Sequence, residues 1–235
     1  MKKVLKVLGI IVIVLFAGLF SLKLYLSEKE PQGIASPETE EMIQLIYKNL
    51  NKPAWDSTQW VKWTFNKNHY TWDKYQNKVK VIWKDFEVIV DLNTQQGSAK
   101  KAGAVLSGKD ADKAVKTAYS RFCNDSFWLT APYKLTDPGT TPTLVTLPDG
   151  RKGLKISYNS GGVTPGDSYV WILNDKGIPT SFKMWVNILP IGGLESTWDD
   201  WQELGTGAKL ATKHAIGGKY NSVATDVSGG MGVAF

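Results

Sequence analysis

The sequence predicts an α+β domain that is mainly antiparallel β, preceded by one apolar N-terminal segment. Three observations carry this prediction. Residues 7–22 (VLGIIVIVLFAGLFSL) form an almost uninterrupted apolar run behind Lys2, Lys3 and Lys6. Two later stretches repeat apolar residues at helical spacing, and most of the remainder alternates with a period of two. Several of the alternating segments are apolar on both faces, which calls for a sheet covered on both sides. A curved sheet wrapped around helices meets that demand, and so does a barrel with an apolar interior.

The basic flank and apolar core of residues 1–26 fit an export signal. Leu19 and Phe20 follow Ala17 and Gly18 where a small-x-small cleavage site would fall, and the single cysteine, Cys123, is far from any lipobox position. Extended to Leu26, with Lys23 snorkelling, the segment approaches the ~20 residues of a membrane span. Residues 1–26 are therefore read as a signal anchor or a signal peptide. The cationic flank places the N-terminus inside and the domain outside the cytoplasmic membrane, membrane-anchored or secreted. The inner membrane is then a partner through residues 4–26.

Residues 27–37 (SEKEPQGIASP) read as a linker. Ser36 and Pro37 form an N-cap and first helical position, with Glu38, Glu40 and Glu41 in the first turn. Met42, Ile43, Ile46, Tyr47 and Leu50 then define an amphipathic helix over 37–50. Val61, Trp63 and Phe65, then Val79, Val81 and Trp83, then Phe86, Val88, Val90 and Leu92 alternate as antiparallel strands. Helical spacing returns over 110–123, where Ala111, Ala114, Val115, Ala118, Tyr119 and Phe122 share a face. Further strands are expected at 126–130, 143–147, 153–159, 168–174, 180–188, 194–204 and 207–214, separated by Pro-, Gly- and Asp-rich turns. In 168–174, Tyr169, Trp171 and Leu173 oppose Val170 and Ile172; in 180–188, Phe182, Met184, Val186 and Ile188 share a face. The domain is placed at 38–221, and the Gly-rich residues 222–235 are expected to form a poorly ordered tail.

Four of the 28 basic residues lie in the leader, so residues 27–235 carry 24 basic against 22 acidic residues, a net of +2. That balance is no nucleic-acid footprint. One cysteine precludes an internal disulfide and a cysteine metal cluster. The two histidines, His69 and His214, lack metal-ligand spacing, and the chain has no G-x-S-x-G. Asp73 and Asp167 could pair for glycoside hydrolysis, but Asp in a turn is expected for backbone reasons alone. Asp125 and Asp167 either cap local donors or line a mouth. No metal, cofactor or catalytic residue is assigned, and the chain reads as a binder.

Ten tryptophans are more than one core commonly needs, since each indole seeks a partner for its N–H. Trp60, Trp128 and Trp185 fall on the more polar side of their segments and are candidates to line a partly wet pocket. With Trp63, Trp72, Trp83, Tyr133 and Trp171 they form the expected ligand-binding set.

Local segments resemble the periplasmic lipoprotein-sorting and carrier superfamily of the LolA, LolB and MucB type. These are NDSFWLTAPYKL (124–135), GVTPGDSY (162–169), and Trp198-Asp199-Asp200-Trp201 followed by Thr206-Gly207-Ala208 and Thr212-Lys213-His214. The likeness spans roughly residues 38–215. It implies a curved, half-open β-barrel of about ten strands covered by helices, binding the acyl chain of a lipoprotein or another lipid in an aromatic-lined cavity. The same fold with a filled core would instead serve as an envelope protein-interaction module. The chain departs from the soluble carriers in its candidate anchor and from the outer-membrane receptors in lacking a lipobox.

Overall fold

The computed structural model describes Tyr25, residues 27–160 and residues 163–235. The expected membrane or signal segment lies outside the described residues, among which no helix is long and apolar enough to cross a membrane.

From Pro37 onward, among the described residues, two open antiparallel sheets and three α-helices make up the fold. Helix α1 is Pro37–Leu50, capped by the Ser36 hydroxyl, which accepts from Glu38 N at 3.3 Å. It buries Ile43, Ile46 and Leu50 and ends at Asn51 in the left-handed region. A one-turn helix, α2 (Lys52–Ser57), follows. Strands β1 (Trp60–Phe65), β2 (Asn68–Asp73), β3 (Lys78–Trp83), β4 (Phe86–Asp91), β5 (Gly97–Lys101) and β6 (Ala104–Val105) are consecutive hairpins. After helix α3 (Gly108–Thr130) come β7 (Thr140–Thr146), β8 (Lys152–Tyr158), β9 (Ser168–Leu173), β10 (Pro179–Trp185) and β11 (Leu194–Thr197). The last three strands are β12 (Asp199–Glu203), β13 (Lys209–Ile216) and β14 (Lys219–Gly230). One sheet runs β12-β13-β14-β1-β2-β3-β4-β5-β6 and the other β11-β10-β9-β8-β7.

Antiparallel β-dominance holds. The expected barrel of about ten strands is corrected to fourteen strands in two unclosed sheets. Strands β2, β5 and β6 and helix α2 stand where no element was expected, and three expected segments differ from the sequence reading, each for a physical reason. Residues 126–130 continue α3 rather than forming a strand. The apolar Phe127-Trp128-Leu129 run resembles a strand, but Ala118, Phe122, Ser126 and Leu129 keep one helical face buried, and Thr130 Oγ1 donates to Ser126 O.

Residues 194–204 are two strands in different sheets. The chain turns a corner at Trp198, which is buried against Trp171, Phe182 and His214. Finally, residues 222–230 of the expected tail belong to the twelve-residue strand β14, paired to both β13 and β1. Its glycines serve close packing: a Cβ on Gly230 would stand 3.0 Å from the Trp60 ring, and one on Gly229 would stand 2.7 Å from Leu204 Cδ1.

The main core fills the space between the inner faces of the sheets. Helix α3 packs against β3–β5 and β13, and its last turns reach the five-stranded sheet through Phe127 against Tyr169 (4.7 Å between rings) and Trp128 against Phe182 (5.6 Å). Trp171, Phe182, Leu154 and Ile156 point inward, while Val170, Ile172, Val145 and Leu147 form a second apolar cluster on the outer face with Trp185. Apolar residues on both faces of β9 therefore have the double cover their pattern demanded.

Part of that outer cover is residues 27–36, a strap laid across the strands. Glu28 accepts from Trp185 Nε1 through its carbonyl and pairs with Lys183 at 2.6 Å. Further along, Lys155 reaches Glu30 at 2.6 Å and Pro31 O at 3.0 Å, and Ile34 exchanges two backbone hydrogen bonds with Leu144.

Candidate functional site

A cavity of about 490 Å³ opens where the last turns of α3 meet the ends of β8, β9 and β10. Its walls are built by alternation. Tyr158 at the end of β8 and Tyr169 at the start of β9 face inward, and Met184 pairs with Tyr169 across the β9–β10 ladder. Val186 and Leu194 continue the wall beyond β10 and at the start of β11. Phe127 crosses the floor, edge-on to Tyr158 at 5.8 Å, while Tyr158 and Tyr169 meet edge-to-face at 5.6 Å. A second depression of about 550 Å³, between the β4–β5 turn and α3, is lined chiefly by Gln95, Gln96, Asp112 and Lys116 and lacks such walls.

Polar groups sit toward the mouth. Lys134 and Asp137 form an ion pair at 3.3 Å, so they neutralise one another. The Tyr158 hydroxyl is buried and finds no partner among the described residues, and burial raises its pKa. The Tyr169 phenol is also raised, first by burial and then by the Asp167 charge. Both remain protonated at neutral pH. Burial likewise raises the Cys123 thiol at the wall, which keeps it a poor nucleophile.

The two ambiguous aspartates resolve differently. Asp167 is buried and accepts from Asn187 N at 2.9 Å, while Gly166 N donates to Tyr158 O. It pins the loop after β10 to the start of β9 and lines the cavity while doing so. Asp125 is buried beside the cavity wall and accepts from Tyr70 Oη at 2.5 Å, Asn68 Nδ2 at 3.0 Å and Asn124 Nδ2 at 2.8 Å. Arg121 donates to Asn68 Oδ1 at 3.0 Å, completing a network that locks α3 to the β1–β2 hairpin. Burial, then the Asp125 charge, holds the Tyr70 phenol far above its ordinary pKa. Asp73 accepts from Gln76 N in a turn of the other sheet, so Asp73 and Asp167 each serve a separate backbone donor.

Of the eight aromatic residues expected to line a pocket, Trp128 does so. Trp63 stacks on Tyr70 in the core, and Trp83 stacks on Phe86 with Arg121 near its face. Trp72 packs against Phe122 and Trp55, and Trp171 is fully buried beside Trp198. Tyr133 stacks on Trp55 and joins helix α1 to β13, donating to Leu50 O or Lys209 O and accepting from Lys209 N. Trp60 donates to Met231 O beneath β14, and Trp185 lies on the outer face under the strap. The tryptophan surplus is thus mostly core and splice. Phe127, Tyr158, Tyr169, Met184, Val186 and Leu194 were not singled out by sequence. Their signal was the shared apolar face of 169–173 and 182–188, but which end of that face stays unfilled depends on the β9–β10 register and on α3 extending to Thr130.

His214 lies behind Trp128, fully buried. Nδ1 is 2.9 Å from Thr197 O, which requires the proton on Nδ1, and Nε2 finds no partner among the described residues. Burial lowers its pKa. Among the described residues no cluster of His, Cys, Asp or Glu is arranged to hold a metal.

No family model matches the chain, and no curated protein matches it. Among solved structures, a DUF1329 family protein from Desulfovibrio piger is similar at 9% identity and a TM-score of 0.42, over 83% of this chain and 94% of that one.

Proposed function

We propose that this chain is a non-catalytic envelope protein that holds a lipid or the acyl chain of a lipoprotein in the cavity between α3 and the five-stranded sheet. The observation that carries the reading is the composition of that cavity. Apolar and aromatic side chains dominate its walls, its Lys134–Asp137 ion pair is internally neutralised, and its phenols Tyr158 and Tyr169 stay uncharged. Its volume falls within the ~300–1,000 Å³ of small-molecule sites, and such walls favour an apolar occupant. The tyrosine hydroxyls and Asp167 offer a few directional contacts for an ester or hydroxyl group. The lipoprotein-carrier resemblance of the sequence and the export-like leader point to the same class of ligand.

The test is native mass spectrometry of the protein purified from membranes, followed by titration with a fluorescent fatty acid. A lipid-sized mass removed by solvent extraction, and saturable uptake afterwards, are expected. Val186→Trp should fill the cavity and abolish uptake with the fold intact. An apo mass with no uptake, or unchanged uptake in the variant, would sink the proposal.

A further inference from the structure

We infer that the strap seats the cavity mouth on the membrane surface, so that the occupant passes directly between a lipid leaflet and the cavity; this rests on the cavity reading above. The argument starts from where the strap begins. Ser27 and Glu28 are held on the loop 186–193 and the end of β10 before it by four contacts, two to each. Glu28 N donates to Gly192 O at 2.9 Å, Gly192 N to Ser27 Oγ at 3.0 Å, Trp185 Nε1 to Glu28 O at 2.9 Å, and Lys183 Nζ pairs with the Glu28 carboxylate.

The same loop carries Ile188 and Leu189, which line the mouth while 70% and 36% exposed, opposite Val163 at 45%. Isolated exposed aliphatics are ordinary, but three around one apolar opening mark a surface meant to be covered.

Chain length supplies the occupant. The apolar run ends at Leu22, and the four residues Lys23–Leu26 separate it from Ser27. Even fully extended they reach only about 14 Å. Whatever geometry those residues adopt, the end of a near membrane-length apolar run is tethered close to the rim. If that run is in a bilayer, the mouth is at the bilayer surface. Tyr25, 86% exposed, is the residue type that favours the lipid–water boundary. The strap continues away from the mouth across Lys155 to Leu144, so the tether is fastened along its length. The partner is therefore a lipid surface, recognised by apolar insertion at the loop 186–193.

The experiment uses the full chain in vesicles of phosphatidylethanolamine and phosphatidylglycerol. A benzophenone side chain is introduced at Ile188, or at Val105 as a control. Val105 is exposed but precedes α3, whose residues 108–125 place it about 25 Å from the cavity end. After irradiation, intact mass reads the adduct. Lipid adducts several-fold more abundant at 188 than at 105 are expected, falling several-fold in Glu28→Lys at unchanged circular dichroism. Equal yields at both positions, or adducts at 188 to a second copy of the chain instead of lipid, would overturn the seating. Fatty-acid uptake is measured on the same samples. Uptake without adducts at 188 defeats the seating and leaves the cavity reading; adducts without uptake do the reverse.

Discussion

Replacing Asp125 with alanine removes the acceptor at the centre of the network that registers α3 against the β1–β2 hairpin. Three donors lose their partner. Asn124 is exposed and returns to water, but Tyr70 and Asn68 are 2% and 6% exposed and cannot. Each buried donor left unsatisfied costs about 1–3 kcal/mol, so the loss is about 4 kcal/mol, a large share of a domain's ~5–15 kcal/mol. At ~2–4 °C per kcal/mol for a domain of this size, the melting temperature should fall by about 10 °C. Urea denaturation followed by far-UV circular dichroism measures the loss. The decisive comparison is with Tyr70→Phe and the double variant. Once the phenol hydroxyl is gone, Asp125→Ala no longer strands it, so the double variant should be more stable than additivity predicts by about 1–2 kcal/mol. A loss below ~1 kcal/mol, or strict additivity, would refute the claim that these groups act as one buried network. Because Asn124 and Ser126 line the cavity on either side of Asp125, the same variant should also weaken lipid uptake.

Other predictions follow from burial. His214 is neutral in the folded protein with a lowered pKa, so below the ordinary histidine value the unfolded chain takes up a proton that the native state refuses. The His214 contribution to stability should be flat above about pH 6.5 and fall as the pH drops below it, and His214→Leu should flatten that acid limb; equal acid limbs in the two proteins would contradict the assignment. Lys74, half-buried over the Trp55 ring with its ammonium on Trp55 O, has its pKa pushed down to about 8 by that desolvation. Between about pH 8 and 10.5 the unfolded chain therefore binds the extra proton, and wild type should gain stability relative to Lys74→Met as pH rises through that window; a constant difference would argue against it. Gly229→Val forces a side chain against Leu204 and Trp60 O and should cost about 1–3 kcal/mol in chemical denaturation, whereas an unstructured tail would tolerate it without change.

Much of this architecture is written locally. Ser36, Pro37 and the first-turn glutamates define α1, and alternation defines β1, β3 and β4, whereas β2, whose apolar positions are sparse, was not expected. What local pattern does not contain is partnership at a distance. Phe127-Trp128-Leu129 satisfies strand and helix templates alike, and Ser126 and Leu129 packing under the sheets settles it as helix. The stretch 194–204 was read as one strand, yet Trp198 packs against both sheets and the chain bends there. Glycines at 229 and 230 read as disorder because the sequence does not show that Trp60, some 170 positions earlier, lies against them. The cavity shares this character. Apolar faces on β9 and β10 were visible, but aromatic count pointed to tryptophans that fill the interior, and the open end is set by cross-strand register and the true end of α3.

The order in which the large sheet is assembled has its own consequence. Strand β1 finds one neighbour at once in β2, but its other neighbour is β14, far along the chain, with Trp60 opposite Gly230. Until β14 docks, β1 and β13 both carry a bare edge, and pairings of such sequence separation form slowly.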